Sequence, residues 1–220
     1  MGRGASENDA GAGGGGPPAP RPSPLAPLVV LSGPSGVGKT TLVDALLARG
    51  SLPLRRAVTA TTRPPRPGEV PDVSYHFWTR GQFQDALARN EMLESAEVHG
   101  RDFYGTPRSE VDPYRAAGVG VILVIDVQGA GQVRARYPGN HLSVFVTPPG
   151  FADLEARLRG RAEPDESMRR RLETGRQELT RAGEFDRTLE NGDLGAATDA
   201  LEAIIRDEFT RRGVGRCSTS

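Results

Sequence analysis

The sequence predicts an α/β fold with a central parallel sheet, because short apolar runs alternate with helical patterns along its 220 residues. The runs at residues 28–31 and 120–126 are apolar almost throughout, which is typical of strands buried on both faces of a sheet. Strands that are separated by helices favour parallel pairing, with helices covering both faces. A glycine-rich stretch lies between the first strand pattern and the first helix pattern, at residues 42–48.

That glycine-rich stretch, GPSGVGKT at residues 33–40, has the P-loop spacing G-x-x-x-x-G-K-T. The strand before it and the helix after it are the context that this motif requires. Backbone amides in such a loop curl around a phosphate, and the helix that follows adds the positive end of its dipole. We therefore predict a nucleotide phosphate site. The residues expected to contact the nucleotide are Gly33, Pro34, Ser35, Gly36, Val37, Gly38, Lys39, Thr40 and Thr41.

Lys39 is the one lysine of a sequence that contains 27 arginines. Its compact, movable charge suits the outer phosphates of a nucleotide, and the Thr40 hydroxyl is a candidate ligand for Mg²⁺. We interpret the excess of arginine over lysine as a result of the coding composition of the gene and not of function. A planar guanidinium does not easily replace a slender ammonium at this position, however. A chance glycine-rich turn is the alternative, and both flanking patterns disfavour it.

Composition excludes several function classes. Acidic and basic side chains balance to a formal net charge of zero, so no overall basic surface for nucleic acid is expected. The longest apolar runs are too short to cross a bilayer, and no membrane partner is expected. The one cysteine, Cys217, cannot form an intramolecular disulfide, which favours a cytoplasmic setting. The sequence does not indicate the oligomeric state.

The two ends of the chain differ in composition from the body. Residues 1–27 are rich in glycine and proline and almost without aliphatic side chains, which predicts a disordered leader. A partner-binding segment is the alternative. Residues 213–220 are expected to form a similar flexible tail, which leaves residues 28–212 as the folded domain.

The remaining patterns predict further elements in chain order. Strands are expected at residues 55–60, 75–78, 142–146 and 187–190, and a segment of mixed character at 92–104. Helices are expected at residues 81–88, 108–117, 129–136, 151–161, 165–182 and 193–209.

A loop at residues 62–69 holds Arg63 and Arg66 among three prolines and a glycine. The prolines predict an ordered, non-helical backbone. Arginine grips phosphate oxygens in forked pairs of hydrogen bonds, so an anion clamp is one interpretation of this loop. A solvated loop is the other.

Three further residues are candidates for phosphoryl chemistry. Asp126 ends the apolar strand pattern at 120–126, where an acid can position Mg²⁺ or one of its waters, although it could also simply cap the next helix. Arg157 and Arg161 form a like-charge pair four residues apart, which costs about 0.3 kcal/mol in an isolated helix. A transferred phosphoryl group would justify that cost. The alternative is a solvated helix face.

Together these motifs resemble one family, the guanylate kinases. The P-loop is followed in order by TTRPPRPGEV at 61–70, SYHF at 74–77, FYGT at 103–106 and RLRGR at 157–161. The resemblance spans residues 28–210. It implies a three-layer P-loop NTPase fold with a GMP-binding insertion at about 59–108 and a mobile lid at about 152–175. It also implies transfer of the γ-phosphoryl group of ATP, bound with Mg²⁺, to GMP or dGMP in purine metabolism.

The resemblance further implies roles for individual residues. Those that would hold the GMP phosphate are Arg63, Arg66, Tyr75 and Tyr104. Those that would read the guanine base are Glu94, Thr59 and Thr106. Those that would bind the ATP phosphates and the group in transfer are Lys39, Arg157, Arg161 and Arg171, with Asn191 beside the adenine. Val124 departs from the family pattern, which usually has an acid there, and Thr59 replaces the more usual serine.

The chemistry of Glu94 agrees with its implied role. Guanine presents two adjacent hydrogen-bond donors, which one carboxylate can accept together. A buried carboxylate left unpaired by another base would penalise that base, so Glu94 would give discrimination as well as affinity. Taken alone, an exposed strand carboxylate is the simpler interpretation, and Tyr75 and Tyr104 alone would be ordinary core aromatics.

Three other functions compete with GMP phosphorylation. A non-catalytic guanylate-kinase-like binding module would need neither Lys39 nor Thr40. A kinase for another nucleoside monophosphate is disfavoured by Glu94. A GTPase switch is disfavoured because the sequence has no second lysine for an N-K-x-D motif.

Overall fold

The computed structural model describes residues 24–98, 101–159 and 165–214, which fold into two β-sheets with helices packed around them. The strands are β1 (Leu28–Ser32), β2 (Leu54–Arg56), β3 (Ala60–Thr61), β4 (His76–Phe77), β5 (Met92–Val98), β6 (Asp102–Pro107), β7 (Gly120–Val124), β8 (Leu142–Thr147) and β9 (Arg187–Glu190). The α-helices are α1 (Lys39–Ala48), α2 (Arg80–Ala88), α3 (Asp112–Ala116), α4 (Val127–Arg136), α5 (Phe151–Arg159), α6 (Asp165–Leu179) and α7 (Leu194–Arg212).

The first sheet has the strand order β2–β7–β1–β8–β9, and every neighbouring pair is parallel. This arrangement confirms the predicted α/β fold with a central parallel sheet. The central strand β1 is buried along its whole length, with Val30 opposite Leu123 on one side and Ser143 on the other. Because its side chains alternate between faces, Val29 and Leu31 pack with the cluster that includes α1 and α7. Leu28 and Val30 pack on the α4 side, which makes three layers.

The second sheet has the order β4–β3–β6–β5 and is built from residues 60–107. Its β5 and β6 form an antiparallel pair whose register places Glu94 opposite Thr106. Helix α2 covers this sheet with Phe83 and Ala86. The sheet therefore rests on a small core of its own.

Two predicted elements are wrong in the structure. The strand expected at 55–60 is divided, because Ala57 makes the last hydrogen bond to β7, through the Ile122 oxygen at 3.0 Å, before the chain crosses to the second sheet. The helix expected at 108–117 is a 3₁₀ turn at Arg108–Glu110 followed by the five-residue α3. Pro113 has no amide with which to continue the preceding turn, and Val111 between the two pieces is not helical. The other predicted elements agree in type where the structure describes them, and they differ by a few residues at their ends. Residues 160 and 161 of the helix expected at 151–161 lie outside the described residues.

Ordered contacts begin inside the segment for which the sequence predicts a leader. Ala26 is fully buried, and its amide donates to the Arg115 carbonyl at 3.0 Å. Residues 1–23 of that predicted leader, and residues 215–220 of the predicted tail, lie outside the described residues. None of the helices described is both long enough and apolar enough to cross a membrane.

Arg115, on α3, is only 1% exposed and links this helix to two distant segments of the chain. Its guanidinium donates to the Ala26 carbonyl at 2.8 Å and to the Asn140 side-chain oxygen at 2.9 Å. Burial and the charge of Arg212 lower its pKa.

We expect Arg115→Met to lower the free energy of unfolding by about 3 kcal/mol, because buried acceptors would lose their donor. Chemical denaturation measures this change.

Arg187→Met is the control, because Arg187 is exposed and bonds only to the neighbouring Asp186 carbonyl in the structure described. It should change the free energy of unfolding by no more than about 0.5 kcal/mol. Equal effects of the two variants would contradict a bridging role for Arg115.

Candidate active site

The phosphate loop, residues 33–38, connects β1 to α1 and packs directly against other strands. Gly33 has φ 139°, and a Cβ atom there would lie 2.3 Å from the Val146 carbonyl oxygen. Gly38 has φ 96°, and a Cβ atom there would lie 2.6 Å from the Asn191 side-chain nitrogen. No side chain fits at either position, so the glycines of the motif are required by packing as well as by backbone conformation.

Lys39 lies across this loop. Its Nζ donates to the carbonyl oxygens of Gly33 and, at 3.1 Å, of Pro34. The helix begins at the same residue, since the Leu42 amide donates to the Gly38 carbonyl at 3.0 Å. Two backbone carbonyl oxygens of the loop thus accept hydrogen bonds from the ammonium group.

Asn191 and Arg157 hold the loop from the outside. The Asn191 side-chain nitrogen donates to the Val37 carbonyl at 2.8 Å, and Asn191 is 6% exposed. Arg157, on α5, donates to the same carbonyl at 3.2 Å and to the Asn191 carbonyl at 2.8 Å. Both residues that the sequence assigns to the ATP site therefore contact the phosphate loop. In this structure, however, Arg157 is bonded to backbone oxygens of the protein.

Of the other two arginines that the sequence assigns to the ATP phosphates, the structure describes one. Arg171 is half-buried on α6. Arg161, which the sequence predicts as a catalytic residue, lies outside the described residues.

A cavity of about 410 Å³ joins the phosphate loop to the second sheet. It is lined by Ser35, Thr59, Tyr75, Glu94, Ala96, Tyr104, Val124, Ile125 and Asp126. An adjoining cavity of about 280 Å³ shares Thr59, Tyr75 and Val124 with it and adds Thr40 and Glu69. Residues that the sequence assigns to the donor and to the acceptor thus line one connected space.

Glu94 is the most deeply buried carboxylate of this space, with 4% exposure. The Thr106 hydroxyl donates to one of its oxygens at 2.7 Å. Burial raises the pKa of Glu94 to about 7, and the charge of Asp126 adds to that rise, against the opposing effects of Thr106 and Arg136. A carboxylate in this environment gains more than a solvated one from donors that a ligand brings.

Arg63 is brought near the cavity but does not line it. Its guanidinium donates to both oxygens of Glu69, at 2.6 and 2.7 Å, and its Nε donates to the Tyr104 hydroxyl at 3.0 Å. This pair lowers the pKa of Glu69 to about 2 and raises that of Arg63. The Arg63 guanidinium, which was expected to bind a phosphate, is therefore already paired with a carboxylate of the same loop.

Arg66 shares the same carboxylate through its backbone. Its amide donates to Glu69 at 2.7 Å, while its side chain is exposed. Glu69 thus organises both arginines of the loop, a role that sequence reasoning missed. A contact between residues six apart in an irregular loop leaves no periodic signal in the sequence. Of the four predicted phosphate ligands, Tyr75 and Tyr104 reach the cavity wall directly.

Asp126 does cap the following helix, which was the alternative considered for it. Its side-chain oxygen accepts from the Gly129 amide at 2.7 Å. The carboxylate also faces the 410 Å³ cavity. Capping and a role toward a metal are compatible, because a carboxylate has several lone pairs.

The donor atoms near the loop fit Mg²⁺, which prefers hard oxygen ligands. They include the Thr40 hydroxyl and the Asp126 carboxylate, which line the two adjoining cavities. Within the described ranges, no three His, Cys, Asp or Glu side chains cluster so that they could hold a metal by themselves. Mg²⁺ bound here would take most of its ligands from a nucleotide and from water.

The raised pKa of Glu94 makes stability depend on pH in a defined direction. Below the ordinary value of 4.5 the carboxyl group is neutral in folded and unfolded chains alike, and burial costs little. Between 4.5 and about 7 the unfolded chain ionises first, so the native state loses relative stability as pH rises. Glu94→Gln removes this loss. We expect the variant to gain up to roughly 3 kcal/mol over wild type by pH 8 and almost nothing at pH 4.

Denaturant unfolding at several pH values measures that difference. Glu91→Gln is the matched control, because the hydrogen bond from Arg89 lowers the pKa of the exposed Glu91 carboxyl and the pH trend should have the opposite sign. A difference between Glu94→Gln and wild type that stayed flat from pH 4 to pH 8 would contradict the burial effect.

Comparisons with known proteins agree with this geometry. The guanylate kinase family model matches residues 26–208. A guanylate kinase of Thermobifida fusca is 48% identical over 185 residues, covering 84% of this chain and 93% of the relative. One of Nostoc sp. is 46% identical over 179 residues, covering 81% and 88%. The crystal structure of guanylate kinase from Anaplasma phagocytophilum aligns with a TM-score of 0.69 at 28% identity, covering 84% and 87%. The chain therefore belongs to the guanylate kinase family.

Proposed function

We propose that this protein transfers the γ-phosphoryl group of ATP to GMP, giving ADP and GDP. The observation that carries the proposal is the single connected space between the phosphate loop, at Ser35, and the buried carboxylate of Glu94. Family membership supports the same reaction. The cytoplasm as the site of this reaction, and dGMP as a second acceptor, belong to the proposal.

ATP would bind through the phosphate loop. The backbone of residues 33–41 would surround its phosphates, with Lys39 at the outer end and Asn191 toward the adenine. The Lys39 Nζ is now held by two carbonyl oxygens. It has to move only within its own flexible stem to meet an anion that replaces them. Mg²⁺, when bound at Thr40, would offset charge on the phosphate oxygens.

GMP would bind in the 410 Å³ cavity, with its base toward Glu94. The ionised carboxylate would accept hydrogen bonds from the two adjacent donors of guanine, and the hydroxyls of Thr59 and Thr106 lie on the same side. Adenine and the pyrimidines do not present that pair of donors, so they would leave a buried charge without partners.

The GMP phosphate would be held by Tyr75 and Tyr104, with Arg63 and Arg66 just behind them. Arg63 already donates to Tyr104 and lies over the Tyr75 ring at 4.9 Å. A phosphate could therefore replace Glu69 on the guanidinium without a change in the position of the arginine backbone. Such an exchange is chemically conservative, because both groups are anions with paired oxygens.

The transfer itself needs no covalent intermediate, because the acceptor phosphate is already an anionic nucleophile. The contribution of the protein is to align two anions and to offset the charge that develops between them. We assign that task to Lys39 and to the arginines Arg63, Arg157, Arg161 and Arg171. Closure of the insertion (residues 59–108) and of the lid (residues 152–175) would exclude water as a competing acceptor.

A coupled assay of ADP release tests this function. The wild-type protein should release ADP from ATP when GMP is present, and far less with AMP, UMP or CMP. Lys39→Ala should lose the activity, because the outer phosphates would lose their one movable cation from the loop. Binding of GMP without turnover would instead identify a non-catalytic binding module.

The assignment of the guanine reader has its own test. Glu94→Gln keeps the volume of the side chain but offers one acceptor oxygen in place of two. We expect the KM for GMP to rise roughly 10- to 100-fold, since a hydrogen bond to a charged group is worth about 1.5–3 kcal/mol. The KM for ATP should stay unchanged. A KM for GMP that did not respond would show that another residue reads the base.

A further inference from the structure

Helix α6 touches the phosphate loop through two residues one helical turn apart, Gly175 and Glu178. Gly175 is buried, and a Cβ atom there would lie 3.3 Å from the Leu154 side chain and 3.7 Å from the Pro34 ring. Residues three apart lie on the same helix face, so Glu178 faces the loop as well. The backbone amide of Ser35 favours the charged form of Glu178 and so acts to lower its pKa.

The charges around Glu178 belong to the donor site. Lys39 is the strongest electrostatic attraction on its carboxylate, Arg181 adds a weaker one, and Asp126 repels it. Burial raises the pKa of Glu178. Its Oε2 atom is shielded from solvent and has no hydrogen-bond partner among the residues described. A buried carboxylate oxygen without a donor costs free energy, and an alanine at this position would avoid that cost.

We propose that Glu178 is a positioning residue of the donor site, which holds the Lys39 ammonium and the Ser35 amide in the arrangement that receives the outer phosphates of a nucleoside triphosphate. The inference rests on the proposed function only in that a nucleotide binds the phosphate loop. It does not depend on the identity or the binding of the phosphoryl acceptor.

The reason for such a residue is the flexibility of lysine. The Lys39 stem has four rotatable carbons, and ordering it on binding costs conformational entropy. Carbonyl oxygens of Gly33 and Pro34 hold the ammonium by hydrogen bonds, and the Glu178 carboxylate attracts it from α6. An ammonium already confined between these groups loses less freedom when phosphate arrives.

Positioning and simple electrostatics predict opposite results for Glu178→Gln. A carboxylate near the loop repels phosphate, so its removal alone would tighten nucleotide binding. Loss of positioning would weaken it. We expect the Kd for ADP, and for a non-hydrolysable ATP analogue, to rise about tenfold, as for the loss of one charge-assisted interaction. Isothermal titration calorimetry without GMP measures both.

Glu173→Gln is the matched control, since Glu173 lies on the same helix but is exposed and bonds to Gln177. Its Kd values should equal those of wild type. In steady state, Glu178→Gln should raise the KM for ATP while the KM for GMP stays within about twofold, a split that general unfolding would not produce. Its thermal midpoint should stay near that of wild type.

A Kd for ADP that is unchanged or lower in Glu178→Gln overturns the proposal. Should that variant not fold, Glu178→Asp serves instead, because it keeps the charge but withdraws it by one methylene; it should weaken ADP binding less than tenfold, and no weakening overturns the proposal equally. A wild-type protein that binds ADP but does not phosphorylate GMP would overturn the proposed function alone.

Discussion

The phosphate loop is held in shape by groups that are distant from it in sequence, and the rest of the site depends on this support. Gly33 lies against the carbonyl of Val146 on β8, and the Val37 carbonyl accepts from Asn191 and Arg157. Backbone oxygens that would otherwise face the ligand are thereby satisfied by side chains. Because the same side chains are candidate nucleotide contacts, the conformation of the loop and the binding of a nucleotide cannot vary independently.

The electrostatic environment of the cavity is set by the charges close to it and not by the net charge of the chain. The chain has no formal net charge, yet Glu94, Asp126 and Glu178 succeed one another from the acceptor side to the phosphate loop. Each raises the cost of ionising its neighbour, and Lys39 offsets the charge at the donor end. Substrates that bring donors to one end and a metal-bound phosphate to the other would relieve this concentration of negative charge.

The parts of the fold that the sequence predicts are those encoded by short-range pattern. Strands β1 and β7 are buried on both faces, so their apolar runs are unambiguous, and the P-loop is recognised from its own spacing and flanks. The division between β2 and β3 depends on partners more than 40 residues away, Ile122 and Gly105, and has no local signal. The pairing of Arg63 with Glu69 and the burial of Glu94 are likewise tertiary facts. The role of guanine reader that we propose for Glu94 could be inferred only from resemblance.

The single lysine of the sequence has a consequence for chemical probing. Apart from the α-amino terminus, Lys39 carries the one primary amine of the chain, and it is half-buried beside the nucleotide loop. An acylating reagent that targets amines therefore has two targets, the α-amino group and Lys39, and only Lys39 lies beside the phosphate loop. The rate at which such a reagent modifies Lys39 becomes a measure of how often the phosphate loop is empty.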